Sequence, residues 1–255
     1  MFSWHSEQYL RFKGERTQPA VDLANRITVN PNTIIDIGCG PGNSTAVLQN
    51  RFSDAEIIGI DSSQNMINRA KKEHSSIEFN CCDVRTLFDK EDKYDVVFSN
   101  ACIQWIPNHN ELVKNLFGLL NKNGVLAVQI PFNFSEPIRQ IITKTVLSDK
   151  WKNHFKGTRT MYVLSESKYY DLLSEITDNF SLWQTVYYHT MHSHQDIIEW
   201  YRGTGLRPYL EQLDDDLQRE FESDILEQIK TAYPVQKNGD IIFKFPRLFF
   251  MLVNK

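Results

Sequence analysis

The stretch Thr33-Ile34-Ile35-Asp36-Ile37-Gly38-Cys39-Gly40-Pro41-Gly42 decides how this chain folds. A short run dense in β-branched residues reads as a buried strand, and it breaks into glycines at 38, 40 and 42. Asn43 to Arg51 then reads as a helix, with Ala46, Val47 and Leu48 apolar. Glycine lets the backbone turn sharply and lets a ligand lie against the main chain. A dinucleotide-binding loop reads G-x-G-x-x-G and seats a pyrophosphate on the helix N-terminus. Here the third glycine follows the second by two positions, and Pro41 removes an N–H that could grip a phosphate. The loop therefore suits a ligand without a pyrophosphate.

Working outward, the rhythm continues. Glu56 to Ile60, Ile77 to Cys81, Tyr94 to Ser99 and Gly124 to Ile130 read as strands. Ser63 to His74 reads as a helix begun by serine caps, and Glu111 to Leu120 as another by the spacing of its leucines. Strands alternating with helices imply right-handed βαβ units and a mostly parallel, Rossmann-like α/β sheet. After Pro131 the rhythm changes: helices are predicted at 138–147, 168–176, 196–201 and 214–233, and strands at 180–190, 240–245 and 247–253. With no internal repeat or low-complexity linker, a single domain over 1–255 is expected. Residues 1–32 would form an N-terminal lid or helix, 33–131 the cofactor core, and 132–255 an acceptor-binding, sheet-closing part.

Acids at successive strand ends sharpen the ligand. Asp61 ends the second strand, near the spacing of about 20 residues at which an acid takes ribose hydroxyls. Its carboxylate can accept from both at once. Asp83 ends the third strand, where a carboxylate can accept from the adenine amino group. Asp36 ends the first, within reach of a cationic amine or of loop N–H groups, and Ser99-Asn100-Ala101 follows the fourth. Open α/β sheets bind ligands at these carboxyl ends. Each residue alone could be a turn or a helix cap, but the set favours an adenosine ligand.

Composition sets the outer limits. The 255 residues carry 28 Lys+Arg against 32 Asp+Glu, a net charge of −4, without the basic stripe of nucleic-acid binders. The start lacks the pattern of a secretory signal. The uninterrupted apolar stretch at 248–253 is far short of the roughly 20 residues of a spanning helix. A cytoplasmic protein without a membrane partner is expected, as a monomer or weak homodimer. Cys39, Cys81, Cys82 and Cys102 show no C-x-x-C pair and no zinc pattern, so reduced thiols and no metal are expected.

Asp36-Ile-Gly-Cys-Gly-Pro-Gly42, Gly59-Ile-Asp61, Cys82-Asp83 and Tyr94-Asp95 with Ser99-Asn100-Ala101 resemble the class I S-adenosylmethionine-dependent methyltransferases. Within them the chain resembles the trans-aconitate 2-methyltransferase family, through Gly40-Pro-Gly-Asn-Ser-Thr45, Gln104-Trp105, Tyr169-Tyr-Asp-Leu-Leu-Ser-Glu175, Thr204-Gly-Leu-Arg-Pro208 and Phe245-Pro-Arg-Leu-Phe249. The resemblance implies a seven-stranded, mainly parallel sheet with one antiparallel strand. It also implies S-adenosylmethionine as cofactor, released as S-adenosylhomocysteine, and methyl transfer to a carboxylate of a small polycarboxylic acid. It puts Asp61 at the ribose and Asp83 at the adenine, with Ser62, Met66, Val84 and Asn100 among the further cofactor-binding residues. Gly38 and Gly40 would face the methionyl part, and Ala101, Gln104 and Trp105 the sulfonium and its methyl. Phe132-Asn133-Phe134 and Lys156 to Ser165 depart from the family pattern and could border the acceptor pocket.

If the acceptor is a carboxylate it is already ionised at neutral pH, so no catalytic base is expected and no Ser/His/Asp or metal constellation stands out. An acidic acceptor does need cations. Arg247, beside Pro246 and an apolar strand, and Arg207, in the Gly205–Pro208 turn, are the candidates. Tyr187, Tyr188 and His189 form a polar-aromatic cluster in which Tyr188 and His189 are taken to reach the site. Arg202 reads as a solvated helix residue. Trp4 to Arg16 is expected to fold over the cofactor as a lid, with Tyr9 and Arg16 toward the methionyl group. Three alternatives stand beside this reading: methylation of another organic acid, a silent S-adenosylmethionine-binding module, and a nicotinamide dehydrogenase. The loop spacing and Asp83 argue against the last.

Overall fold

The computed structural model describes residues 12–157 and 160–255. Helix α1 (Lys13–Asn25) leads into strand β1 (Thr33–Ile37), whose last four residues are buried. Gly42, at φ +90°, opens α2 (Asn43–Arg51) in a conformation that costs a side chain dearly. A Cβ there would also lie 2.7 Å from the His74 ring and 2.9 Å from Phe79. Strand β2 (Glu56–Asp61) follows, then α3 (Gln64–Glu73), β3 (Glu78–Cys81) and β4 (Tyr94–Asn100). Ser63 caps α3, its hydroxyl accepting from the Met66 N–H. After α4 (His109–Gly118) come β5 (Leu120–Pro131), α5 (Pro137–Val146) and α6 (Glu166–Ile176). The chain closes with β6 (Phe180–Met191), α7 (His194–Arg202), α8 (Arg207–Leu210), α9 (Asp215–Ala232) and β7 (Ile241–Val253).

The sheet has seven strands in the order β3-β2-β1-β4-β5-β7-β6. The pairs β1/β2, β2/β3, β1/β4 and β4/β5 are parallel, and β7 runs antiparallel to β5. This is the expected Rossmann-like α/β architecture with its antiparallel strand. The strand order reverses between β1 and β4, which opens the ligand crevice above their carboxyl ends.

Two element boundaries need correction. The helix expected to reach Leu120 stops at Gly118, because Leu120 pairs with Tyr94 in the β4/β5 ladder and the Leu119 carbonyl accepts from the Tyr94 N–H at 2.9 Å. Both leucines are buried either way, so apolar spacing does not mark the switch. The two closing strands are one, β7, running through Pro246. Proline offers no N–H to a ladder, but its carbonyl still accepts, here from the Phe132 N–H at 2.9 Å. Unforeseen are 3-10 turns at Val84–Leu87 and Ile103–Trp105, and the short α8 in place of a simple turn.

The chain gathers into two compact units. One comprises Phe132–Thr160 and Val186–Pro246, with Phe12. Its core packs Trp151, Trp200, Tyr201, Phe221, Phe243 and Phe245 with aliphatics of α5, α7 and α9. The capping box of α7 shows how its pieces start: Ser193 accepts from the Asp196 N–H, and Asp196 in turn accepts from the N–H groups of His192 and Ser193. The other unit comprises Gly14–Pro131, Met161–Thr185 and Arg247–Lys255. It holds the whole glycine loop and every strand end that carries an acid. All four cysteines are free thiols, Cys39 buried in a small core with Ile67, Ala70 and Phe79. Among the described residues no helix is long and apolar enough to cross a membrane.

Candidate active site

The glycine loop is built around two carboxylates. Asp61, at the end of β2, accepts from the Gly40 N–H on Oδ2 (3.1 Å) and from the Ser63 N–H on Oδ1 (2.8 Å). It thus holds the loop and starts α3, while each oxygen keeps a further lone pair. Gly38 and Cys39 both donate to the Ile60 carbonyl, at 2.8 and 2.9 Å. A Cβ on Gly38 would collide with the Cys102 side chain, whereas one on Gly40, at φ +55°, would meet nothing. The first glycine is required by packing; the second keeps a space open.

Asp36, at the end of β1, is fully buried. Its Oδ2 accepts from the Ser44 hydroxyl at 2.6 Å and the Thr45 hydroxyl at 2.7 Å, both from the first turn of α2. Its Oδ1 is buried without a hydrogen-bond partner among the described residues. Burial pushes the carboxyl up to about 6; the two hydroxyls pull it back in part, and Asp61 adds a small repulsion.

At the end of β4 the chain turns through Ala101, held at φ +56°, whose N–H donates to the Gln129 carbonyl at 2.9 Å. The Ala101 carbonyl accepts from the Gln104 amide at 2.7 Å. Gln104 is buried, and its Oε1, like Oδ1 of Asn100, has no hydrogen-bond partner among the described residues. Trp105 is half-buried beside it, and Tyr162 donates its N–H to the Gln104 carbonyl. His109 fastens this turn from beneath. Its Nε2 lies 3.0 Å from the Ile103 carbonyl and must be the protonated nitrogen, so Nδ1 accepts from the Tyr169 hydroxyl at 2.5 Å. Burial accordingly holds the imidazole below its usual range.

Asp83 shows the other expected acid in a different setting. It caps the turn Val84–Leu87 and pairs with Arg85 through both oxygens, at 2.9 and 2.5 Å, and Arg85 holds its pKa below the ordinary range. Val84 behind it is buried, Ser62 is exposed and Met66 half-buried. Asp95, part of the same sequence pattern, is structural. It accepts from the Asn32 and Thr33 N–H groups and from Asn121, and these bonds hold it low against the opposing effect of burial.

The acceptor candidates divide. Arg247 is 6% exposed, and its Nη1 donates to Gln129 Oε1 at 3.3 Å. The register pairs Asp36 with Phe98, Asn100 with Gln129 and Pro131 with Arg247, so Asp36, Asn100, Gln129 and Arg247 share one face of the sheet. Tyr188 and His189 are a correction: strand alternation sends them to opposite faces. Tyr188 is 67% exposed, while His189 is buried against Trp200 at 4.7 Å and lies parallel to Tyr187. Arg207 is on the surface, paired with Glu211 one helical turn away. Arg202, read as solvated, instead forms a two-pronged pair with the largely buried Glu222. Arg16 is half-buried on α1; Tyr9 and Trp4 lie outside the described residues.

Sequence reasoning passed over Gln129. Its signal was present, since it is the one polar side chain in Gly124-Val-Leu-Ala-Val-Gln-Ile130. Among the described residues, Asp36, Asn100 and Gln104 keep unfilled acceptors and the glycine loop is open at Gly40, which suits a ligand bearing an ammonium, hydroxyls and an amino group.

Comparison with known proteins agrees. Residues 34–124 match the methyltransferase domain family. The chain is 41% identical over 252 residues to trans-aconitate 2-methyltransferase of Escherichia coli O157:H7, covering 98% of both proteins. It is 40% identical to that of Shigella flexneri, again over 98% of both. Among solved structures it resembles the plantazolicin methyltransferase BpumL in complex with SAH, with a TM-score of 0.53 at 18% identity over 98% of this chain and 86% of that one. It also resembles coclaurine N-methyltransferase bound to N-methylheliamine and SAH, with a TM-score of 0.55 at 14% identity, 98% and 75% covered. These two likenesses establish the fold, and the close relatives establish the lineage. The chain belongs to the trans-aconitate 2-methyltransferase family and is an S-adenosylmethionine-dependent methyltransferase.

Proposed function

We propose that the enzyme methylates one carboxylate of a small polycarboxylic acid, trans-aconitate, to a methyl ester. The observation that carries this is Arg247, a guanidinium buried at the carboxyl end of the sheet on the face shared with Asp36 and Asn100. Burying a guanidinium is costly, and its planar fork matches a carboxylate. The relatives' names supply the acid.

S-adenosylmethionine supplies a methyl group made electrophilic by its sulfonium and leaves as the thioether. This chain's residues position the partners. In this reading Asp61, with Ser62 and Met66 nearby, takes the ribose hydroxyls, and Asp83 and Val84 take the adenine. Asp36 and Asn100 accept from the ammonium, and the backbone at Gly38 and Gly40 lines the methionyl chain together with Tyr9 and Arg16. Ala101, Gln104 and Trp105 border the reacting methyl. The acceptor set narrows to Arg247, because Arg207 is engaged with Glu211 and Tyr188 faces solvent. A carboxylate of pKa about 4 is ionised at neutral pH and needs no base, leaving orientation to supply up to about 7–11 kcal/mol. Residues 33–131 as cofactor core and 132–255 as acceptor-binding part of one domain belong to the same proposal. So does a cytoplasmic small-molecule enzyme, a monomer or weak homodimer binding neither nucleic acid nor membrane. The net charge of −4 and the free thiols support it.

The test is incubation with labelled S-adenosylmethionine and a panel of mono-, di- and tricarboxylic acids, with methyl esters read by mass spectrometry. Arg247→Ala is expected to raise KM for the tricarboxylate by about 10–100-fold, equivalent to the roughly 1.5–3 kcal/mol of a charged hydrogen bond, with cofactor affinity retained. An unchanged KM removes Arg247 from the site, and the absence of any ester overturns the reading.

A further inference from the structure

We propose that Gln129 is a second carboxylate-binding residue of the acceptor site, aligned by Arg247 so that its amide N–H groups face the ligand. The inference rests on the carboxyl-methylation reading above. Gln129 is fully buried in β5, between β4 and β7. Its main chain is spent on the fold, since it pairs with Asn100 and Phe249 and its carbonyl takes the Ala101 N–H. Of the side chain, only the amide nitrogen is left without a partner among the described residues.

Arg247 fixes the sense of that amide. A guanidinium has donors and no acceptor, so the atom facing Nη1 must be Oε1, and the usual ambiguity between amide oxygen and nitrogen disappears. Nε2 is thereby turned away from Arg247, and it is buried with no hydrogen-bond partner among the described residues. Leaving a buried donor unmade is costly, and a methionine of the same shape would avoid it. Asp36, Asn100 and Gln104 present acceptors, which complement ammonium, hydroxyl and amino groups. Gln129 presents donors beside a cation. Their complement is an anion with several lone pairs, a carboxylate. Two carboxylates could meet it, that of the methionyl group and that of the acceptor. The acceptor's is assigned, because the amide is oriented by Arg247, the cation that carries the acceptor reading; Gln129 also neighbours Asn100 on β4, so cofactor affinity is measured separately to tell the two carboxylates apart.

The test compares Gln129→Met and Gln129→Glu with wild type in three measurements: thermal unfolding, S-adenosylmethionine affinity by calorimetry, and ester-forming kinetics. Gln129→Met is expected to bind the cofactor within twofold of wild type and to raise the acceptor KM about tenfold, with kcat changed less than threefold. Gln129→Glu keeps an acceptor for Arg247 but turns a negative charge on the substrate, and should lower kcat/KM by 100-fold or more. It carries the test alone should Gln129→Met fail to fold. An unchanged acceptor KM, or a loss confined to cofactor affinity, overturns the assignment while leaving carboxyl methylation intact. Failure of the wild type to esterify any acid overturns the underlying reading and the assignment with it.

Discussion

Among the described residues Asp36 holds two hydroxyls on one oxygen and no hydrogen bond on the other, and its carboxyl is raised to about 6 by burial. Between the unfolded value of about 4 and this folded value, the native state binds the extra proton, so stability falls as pH rises through that window. Above it the full penalty stays, on the order of 3 kcal/mol. An ammonium on Oδ1 favours the ionised form and offsets that penalty. Cofactor affinity is therefore expected to weaken up to tenfold per pH unit below 6, measured by calorimetry. Asp36→Asn should bind weakly with no such slope, and its unfolding should show less pH dependence between 4 and 6. At this scale the sequence was readable for Asp36 and Asp61, because their places follow from a strand, a turn and a helix close along the chain. It marked Gln129 only as a polar residue in an apolar strand, and the partner that gives it meaning, Arg247, lies 118 positions away. Tyr188 and His189 could be placed on opposite faces from alternation alone, but which face is buried depended on Trp200 and Phe243.

The loop from β1 to α2 separates two kinds of glycine. Gly38→Ala would drive a Cβ into Cys102 and is expected to lower the melting temperature sharply or abolish folding. Gly40→Ala meets open space and pays only the left-handed backbone cost of about 1–2 kcal/mol. It is expected to fold, yet lose tenfold or more in cofactor affinity because the methyl occupies the space kept for the ligand. Equal affinity for Gly40→Ala and wild type would show that the loop does not line the cofactor. The other expected elements stand where the apolar periodicities put them, with ends displaced by a residue or two, apart from β5, which begins four residues early at Leu120. The boundaries that moved did so for long-range reasons. Leu120 left its helix to pair with Tyr94, and Pro246 stayed inside β7 because it is needed only as an acceptor.

Every described residue proposed to hold the cofactor belongs to the unit containing the glycine loop, and the largest aromatic core belongs to the other. Phe243→Ala, at a fully buried position of that core, is expected to cost about 3–5 kcal/mol in denaturant unfolding. Below its melting temperature it should bind the cofactor within about twofold of wild type. A large fall in affinity would mean that the core shapes the cofactor site. The chain's own order of residues determined the α/β class, the glycine loop, the acids on successive strand ends and an adenosine-type ligand, because these depend on local periodicity and on turns within a few residues. Tertiary structure alone decided two things: that Arg247 and Gln129 meet on one face, and that His109 ties the turn at Gln104 to Tyr169. Side-chain partners across strands depend on register, burial and strand order, and no spacing along the chain encodes those.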